Sequence, residues 1–326
     1  VTFAGDVARA VAVLEGGGLV GLPTETVYGL AADASNAAAV AKIFAAKGRP
    51  GDHPLIVHLD DAAQMDDWAI DIPPVARRLA AAFWPGPLTL ILKRAAHVLN
   101  AVTGGQESVG LRVPSDPLAH AVLAAFAQAR AGRPTGLAAP SANKFGRVSP
   151  TTAQHVREEF GDAVDLLLDG GQSVVGIEST IVDCTADPAR ILRPGAITRE
   201  QVAAVLEQPV SAALTDAATP RVSGSLEAHY APRTPTCLIA TEDLADALKR
   251  HADKRVALLA FEGGHPAQRK ITASPQAQAY AYALYASLRE LDAAGCDLLL
   301  VEKPPAGAAW DAVNDRLRRA AFGSGE

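Results

Sequence analysis

Apolar and polar positions fall into two blocks along the chain. In the first block, apolar runs of strand length recur between longer segments with helical spacing. Leu19–Leu22, Leu55–Leu59, Thr89–Leu92, Val109–Val113, Gly136–Ala139, Asp165–Leu168, Ser179–Val182 and Ile191–Leu192 read as strands. Asn36–Ala46, stopped by Gly48 and Pro50, reads as a helix, as do Pro74–Phe83, Leu118–Arg130 and Thr151–Phe160. Thr198 and Gln201 have capping-box spacing and open a further helix. Several strands follow one another directly, so the pattern predicts a twisted mixed sheet with helices packed on it.

The pattern breaks over residues 207–232, where Pro209, Pro220, Ser223, Gly224, Ser225 and Pro232 cluster. A segment of that length exceeds a usual connection and is expected to act as a linker that folds over a site as a lid. A tidier alternation follows it. Thr236–Ala240, Arg255–Phe261 and Asp297–Val301 read as strands, and Leu244–His251, Gln276–Ala293 and Trp310–Ala321 as helices. Three βα units predict a small parallel, Rossmann-like sheet. No GxGxxG follows any of these strands, so nothing there points to a dinucleotide. The expected division is therefore 1–206, a linker at 207–232, and 233–326.

Composition narrows the class. The chain has 326 residues, 49% of them hydrophobic but only 5% aromatic, so its apolar mass is Ala, Val and Leu. That suits α/β layers and excludes disorder. The net charge of −6 divides into −4 before residue 207 and −2 after it. Neither part has the balance of a dedicated nucleic-acid binder. Cys184, Cys237 and Cys296 form no CxxC pair, so neither a zinc site nor a disulfide framework is expected, and a cytoplasmic setting is. No apolar run reaches bilayer length, and no membrane association is expected. Entry at Val1 points to a trimmed end.

Candidate chemistry sits in loops at strand ends. Lys47-Gly48-Arg49-Pro50 follows a helix C-terminus. It reads either as cations solvating that end or as an anion clamp, with Arg49 a fork and Lys47 a point charge. Arg193-Pro194-Gly195 poses the same choice. Ser141-Ala142-Asn143 reads either as a turn or as small polar residues beneath a ligand. Ser149-Pro150 has the form of a helix N-cap with proline at the first helical position. Thr24, Thr26, Ser179 and Thr180 offer hydroxyls, and His58 ends the run Leu55-Ile56-Val57.

The order and spacing of these clusters resemble the YrdC-like family. The resemblance rests on Pro23-Thr24-Glu25-Thr26-Val27-Tyr28-Gly29-Leu30, Lys47-Gly48-Arg49-Pro50, Pro54-Leu55-Ile56-Val57-His58 and Trp84-Pro85-Gly86-Pro87-Leu88-Thr89. It continues through Val113-Pro114, Ala139-Pro140-Ser141-Ala142-Asn143, Glu178-Ser179-Thr180 and Arg193-Pro194-Gly195. The linker Ser223-Gly224…His229-Tyr230-Ala231-Pro232 resembles that of the long, two-domain Sua-type threonylcarbamoyl-AMP synthases. His53 stands where many relatives have Asn.

The resemblance implies a YrdC-like catalytic domain and a smaller α/β Sua-type domain. It implies condensation of L-threonine, bicarbonate and ATP to threonylcarbamoyl-adenylate and pyrophosphate, with Mg²⁺ accompanying the nucleotide. Separate transfer proteins then modify tRNA next to the anticodon, and direct tRNA binding is a weaker expectation. It places Lys47, Arg49, His53, Ser108, Ser141, Asn143, Ser149, Arg193 and Tyr230 at ATP, with Lys47 and Arg49 catalytic. It places Thr24 or Thr26, His58, Arg112, Ala139 and Ser179 at threonine, with Arg112 a bidentate partner of the carboxylate, and it assigns no residue to a metal. Two rivals differ in sequence. Hydrogenase-maturation relatives carry CxxC pairs, which this chain lacks, and an RNA-binding module is disfavoured by the acidic first block.

Overall fold

A computed structural model describes residues 4–212, 219–224 and 226–323. Its first block comprises α1 (Ala4–Glu15), β1 (Val20–Leu22), β2 (Gly29–Asp33), α2 (Ala37–Lys47), β3 (Ile56–His58), α3 (Met65–Trp68), α4 (Pro74–Phe83) and β4 (Leu88–Lys93). It continues with α5 (Asn100–Thr103), β5 (Ser108–Arg112), α6 (Pro117–Ala129), β6 (Leu137–Ala138), α7 (Ala153–Phe160), β7 (Leu166–Leu167), β8 (Thr180–Asp183), β9 (Arg190–Arg193), α8 (Arg199–Leu206) and β10 (Ser211–Ala212). The second block holds β11 (Thr236–Ile239), α9 (Leu244–Arg250), β12 (Val256–Ala260), β13 (Arg269–Thr272), α10 (Ala277–Asp292), β14 (Leu298–Glu302) and α11 (Asp311–Gly323). Of the expected linker, residues 213–218 and Ser225 lie outside the described residues.

Strands β10-β9-β8-β4-β5-β3-β6-β2-β1-β7 form one ten-stranded sheet, and β11-β14-β12-β13 a four-stranded one. The large sheet is mixed: β3 runs parallel to β5 and β4 to β8, whereas β1–β2, β4–β5 and β8–β9 are antiparallel. The small sheet is parallel throughout. This is the mixed-then-parallel architecture that the strand spacing predicts. Strand β2 is buried along its whole length. Its Leu30 and Ala32 share a core with Val40 and Ile43 of α2, and its Ala31 one with Leu14 of α1 and Phe126 of α6. A strand covered on both faces carries no alternating signature.

The Ser149-Pro150 reading needs correction. Helix α7 opens at Ala153, and Thr152 is its N-cap, its Oγ1 accepting from the His155 N–H at 3.2 Å. Ser149 is buried and donates to Glu178 Oε1 at 2.6 Å. A buried hydroxyl gains more from a carboxylate than from a helix end already capped.

One core crosses from block to block. Val27, Val148, Ile177 and Tyr230 pack in the same cluster as Tyr280, Leu284 and Tyr285 of α10 and Leu317 of α11. Three of the four sit beside loops that build the candidate site.

Candidate active site

Helix α2 ends on Gly48 in the left-handed region, φ 63°, a conformation that glycine adopts without cost. Lys47 in the last helical turn is buried, so the reading of it as a solvated helix-end cation does not hold. Its Nζ donates to the carbonyls of Ser141 and Asn143, each at 2.5 Å. Arg49 is buried too, and its Nη2 donates to the Pro54 carbonyl at 2.8 Å. Arg193, at the end of β9, donates to the Ser179 carbonyl at 2.9 and 3.1 Å, to Ser179 Oγ at 3.1 Å and to the Ser223 carbonyl at 2.8 Å.

Gly195 permits this approach, because a Cβ there would lie 2.3 Å from the Thr180 nitrogen. None of Lys47, Arg49 and Arg193 has a carboxylate within ion-pair reach among the described residues. Burial lowers all three pKa values: Lys47 well below the usual amine range, with Arg49 adding to the shift, and Arg49 to about 10. Three buried cations whose hydrogen-bond partners are all neutral oxygens are costly in isolation and electrostatically suited to an anion.

The threonine-side candidates share one cavity. Thr24, Thr26, His58, Arg112, Ala139 and Ser179 all line it, together with Ser141, Glu178, Arg193 and Tyr230. The parallel register of β3 and β5 sets His58 beside Arg112. The two threonine hydroxyls are 2.9 Å apart, and Thr24 Oγ1 donates to the Val27 carbonyl at 2.6 Å. Ser179 Oγ meets Thr89 Oγ1 at 2.8 Å. Burial, with Arg112 adding, pushes His58 down to about 3, so its ring is neutral, and its Nδ1 has no hydrogen-bond partner among the described residues.

The free fork expected at Arg112 is not what the structure shows. Its Nη2 is 2.7 Å from Glu25 Oε1 in a buried ion pair, Nη1 donates to Thr26 Oγ1 at 2.8 Å, and Nε to the Gly86 carbonyl at 3.2 Å.

The nucleotide-side candidates are more dispersed. Ser108 lines a smaller cavity that shares Ile56 and Ser223 with the first. His53 meets Phe145 edge-on at 5.2 Å, and its pKa is lowered by partial burial and then by Arg49. Asn143 donates through Nδ2 to the carbonyls of Lys144 and Arg147 at 2.8 and 2.9 Å, holding its loop. Tyr230 is buried, with φ 60°, and packs against His229 at 4.1 Å and Tyr285 at 5.7 Å between ring centroids. Gly224 makes room for it, since a Cβ there would lie 2.0 Å from the Tyr230 hydroxyl.

Four participants were not among the sequence candidates. Glu25 pairs with Arg112, and Glu178 joins Ser149 to Tyr285 and Arg316. Both carboxylates stand inside the quoted motifs, where their proximity to Thr26 and Ser179 was the available signal. Tyr285 and Arg316 lie far along the chain, in helices whose pattern reads as ordinary amphipathic packing.

Comparison with known proteins fixes the family. A family model for Sua5, YciO and YrdC, described as "Telomere recombination", matches residues 12–195. A model for the "Threonylcarbamoyl-AMP synthase, C-terminal domain" matches residues 197–322. The threonylcarbamoyl-AMP synthase of Bacillus subtilis is 38% identical across 98% of this chain and 93% of that protein. The chain belongs to the threonylcarbamoyl-AMP synthases. The synthase of Pyrococcus abyssi is 36% identical over 95% of this chain and 92% of its own length. The crystal structure of P. abyssi Sua5 complexed with L-threonine superposes with a TM-score of 0.89 over 98% of this chain and 94% of that one, at 32% identity. The chain is thus a two-domain, Sua5-type threonylcarbamoyl-AMP synthase, an ATP-using enzyme of tRNA threonylcarbamoyladenosine modification.

Proposed function

We propose that the cavity holds L-threonine and that Lys47, Arg49 and Arg193 hold the phosphates of ATP beside it. The observation that carries this reading is the set of three buried cations without a carboxylate partner among the described residues: Arg193 lines the cavity where all six threonine-side residues meet, Lys47 holds Ser141 on its wall, and Arg49 holds Pro54 of the adjoining smaller cavity. Ser141, Ser108, His53 and Tyr230 line the nucleotide's path. Asn143 and Ser149 act through the loop and the carboxylate they hold. The threonine amine and bicarbonate give a carbamate with loss of water, and a carbamate oxygen then attacks the α-phosphorus as pyrophosphate leaves. Charge grows on phosphate oxygens, where fixed cations in a dry site act strongly. Exclusion of water also protects the carbamate.

Arg112, which lines the cavity while its partner Glu25 does not, supplies positive charge to the threonine carboxylate. Neutral His58 offers Nδ1 toward the cavity. The threonine complex of the P. abyssi enzyme supports this ligand for the cavity.

The donor set does not favour a resident metal. Among the described residues, no group of three or more His, Cys, Asp or Glu side chains could hold one. Mg²⁺ in this reading arrives with ATP and is held by its phosphates. The product passes to separate transfer proteins that act on tRNA, in the cytoplasm. No helix among the described residues is long and apolar enough to cross a membrane.

Equilibrium binding tests the division of roles. Arg49→Gln should weaken ATP and leave threonine nearly unchanged. Thr26→Val and Ser179→Ala should do the reverse. Loss of ATP binding in the threonine-side pair alone would overturn the assignment.

A further inference from the structure

The least accessible arginine among the described residues is Arg316, on α11, and the chemistry does not use it. It is 1% exposed, and of its two carboxylate partners Glu178 belongs to the first block and Asp315 to its own helix. Its Nε donates to Glu178 Oε2 at 2.8 Å, and its Nη1 to Asp315 Oδ2 at 2.8 Å. Its guanidinium lies 5.2 Å from the centre of the Tyr230 ring. Tyr285, from α10, donates its hydroxyl to the same Glu178 Oε2 at 2.8 Å and stacks on Tyr230. Glu178 lines the cavity and directly precedes Ser179, whose carbonyl and hydroxyl anchor Arg193. Arg193 in turn holds the Ser223 carbonyl of the linker.

An arginine buried across a domain boundary is a poor device for stability alone. An apolar pair of the same volume often serves as well or better. What a guanidinium adds is direction: a fixed fork toward one carboxylate and a flat face for one ring. Here Nε and the flat face both point at parts of the site, while Asp315 holds Nη1 and so fixes the plane.

We propose that Arg316 is a positioning residue, through which the second domain sets the geometry of the Glu178–Ser179 loop and the seating of Tyr230. The inference rests on the placement of Ser179, Arg193 and Tyr230 at the substrates. It gives the second domain a part in substrate binding without a contact to either substrate.

The test measures threonylcarbamoyl-AMP formation at varied ATP and threonine, with thermal unfolding alongside. Arg316→Lys keeps the charge and loses the fork and the face. Its KM for both substrates should rise about tenfold or more, the loss of one charge-assisted contact, while kcat falls less. Tyr285→Phe keeps the ring and the fold and removes only the hydroxyl on Glu178, and a KM rise of a few-fold is expected. The paired variant Glu178→Gln with Arg316→Met should recover melting temperature but not KM, because neutral partners pack without directing the loop.

Exposed Arg318 is the control on the same helix, and Arg318→Ala should match wild type. Unchanged KM values in both Arg316→Lys and Tyr285→Phe overturn the proposal, as does full kinetic recovery in the paired variant. Ser179→Ala and Tyr230→Ala separate the underlying assignment. If they leave KM unchanged, the substrate placement fails. If they raise KM while the Arg316 and Tyr285 variants do not, only the positioning role fails.

Discussion

Replacing Lys47 by Met tests whether a buried cation serves the reaction or the fold. Methionine retains the length of the stem and removes the ammonium. Two carbonyls, those of Ser141 and Asn143, lose a donor now at 2.5 Å. Each unsatisfied acceptor costs about 1–3 kcal/mol. Against that, removing an ammonium with no carboxylate partner returns desolvation energy of several kcal/mol. The terms oppose, so stability should stay within about 2 kcal/mol of wild type. Catalysis has no such offset. A donor lost from the charge that grows on the phosphates costs about 2.7–4 kcal/mol, or about 10²–10³ in rate. Pyrophosphate release at saturating ATP, threonine and bicarbonate measures the rate, and urea unfolding the stability. A folded Lys47→Met enzyme within about threefold of wild-type turnover, less than 0.7 kcal/mol of barrier, would refute the reasoning.

Threonine selectivity should follow the cavity lining. Serine, lacking one methyl, should lose about 1–3 kcal/mol and remain a detectable substrate, whereas 2-aminobutyrate, lacking the hydroxyl, should be worse; competition assays decide the order. Stability should fall in mild acid. Burial holds His58 and His229 down at about 3, so between pH 6.5 and 3 the unfolded chain binds more protons than the folded one. Each neutral imidazole therefore contributes fully above pH 6.5 and about 2 kcal/mol less at pH 5, and unfolding free energies at pH 7.5 and 5 should differ accordingly. Burial alone would raise Glu178, but Arg316, Arg193 and Ser149 bring it to about 2, so its share is lost only as pH falls below its unfolded value of 4.5 toward 2. Gly195→Ala should destabilise the fold and depress activity, because its Cβ has no room beside Thr180, and a melting curve indistinguishable from wild type would contradict that.

Much of this architecture is legible where side chains announce burial on one face. Helix α4 has the predicted ends, Pro74 and Phe83, since Pro73-Pro74 opens it and Trp84-Pro85 closes it. The capping box at Thr198 and Gln201 is present as spaced. Strand β2 escapes notice because Gly-Leu-Ala-Ala-Asp is buried on both faces by small residues. Strand β13, Arg269–Thr272, is mostly exposed at a sheet edge and carries no apolar run. Helix α1 gives a weak signal because its apolar face is mainly Ala and Val. In the site, the polar loops were legible as clusters, but their pairing was not. Nothing along the chain shows that Glu25 occupies Arg112, or that Arg316 reaches Glu178 across 138 positions. Those contacts depend on how sheets and helices close in space, which short-range spacing does not encode.

The central claim is that one site joins threonine-derived carbamate to ATP through Lys47, Arg49 and Arg193. Its most direct measurement is the joint yield of pyrophosphate and threonylcarbamoyl-AMP from the full chain, with each substrate omitted in turn. Equal amounts of the two products are expected, formed only when ATP, threonine and bicarbonate are all present, with loss of both together in Arg49→Gln. Pyrophosphate released at the same rate without threonine, or an Arg49→Gln enzyme that yields both products as wild type does, would contradict it.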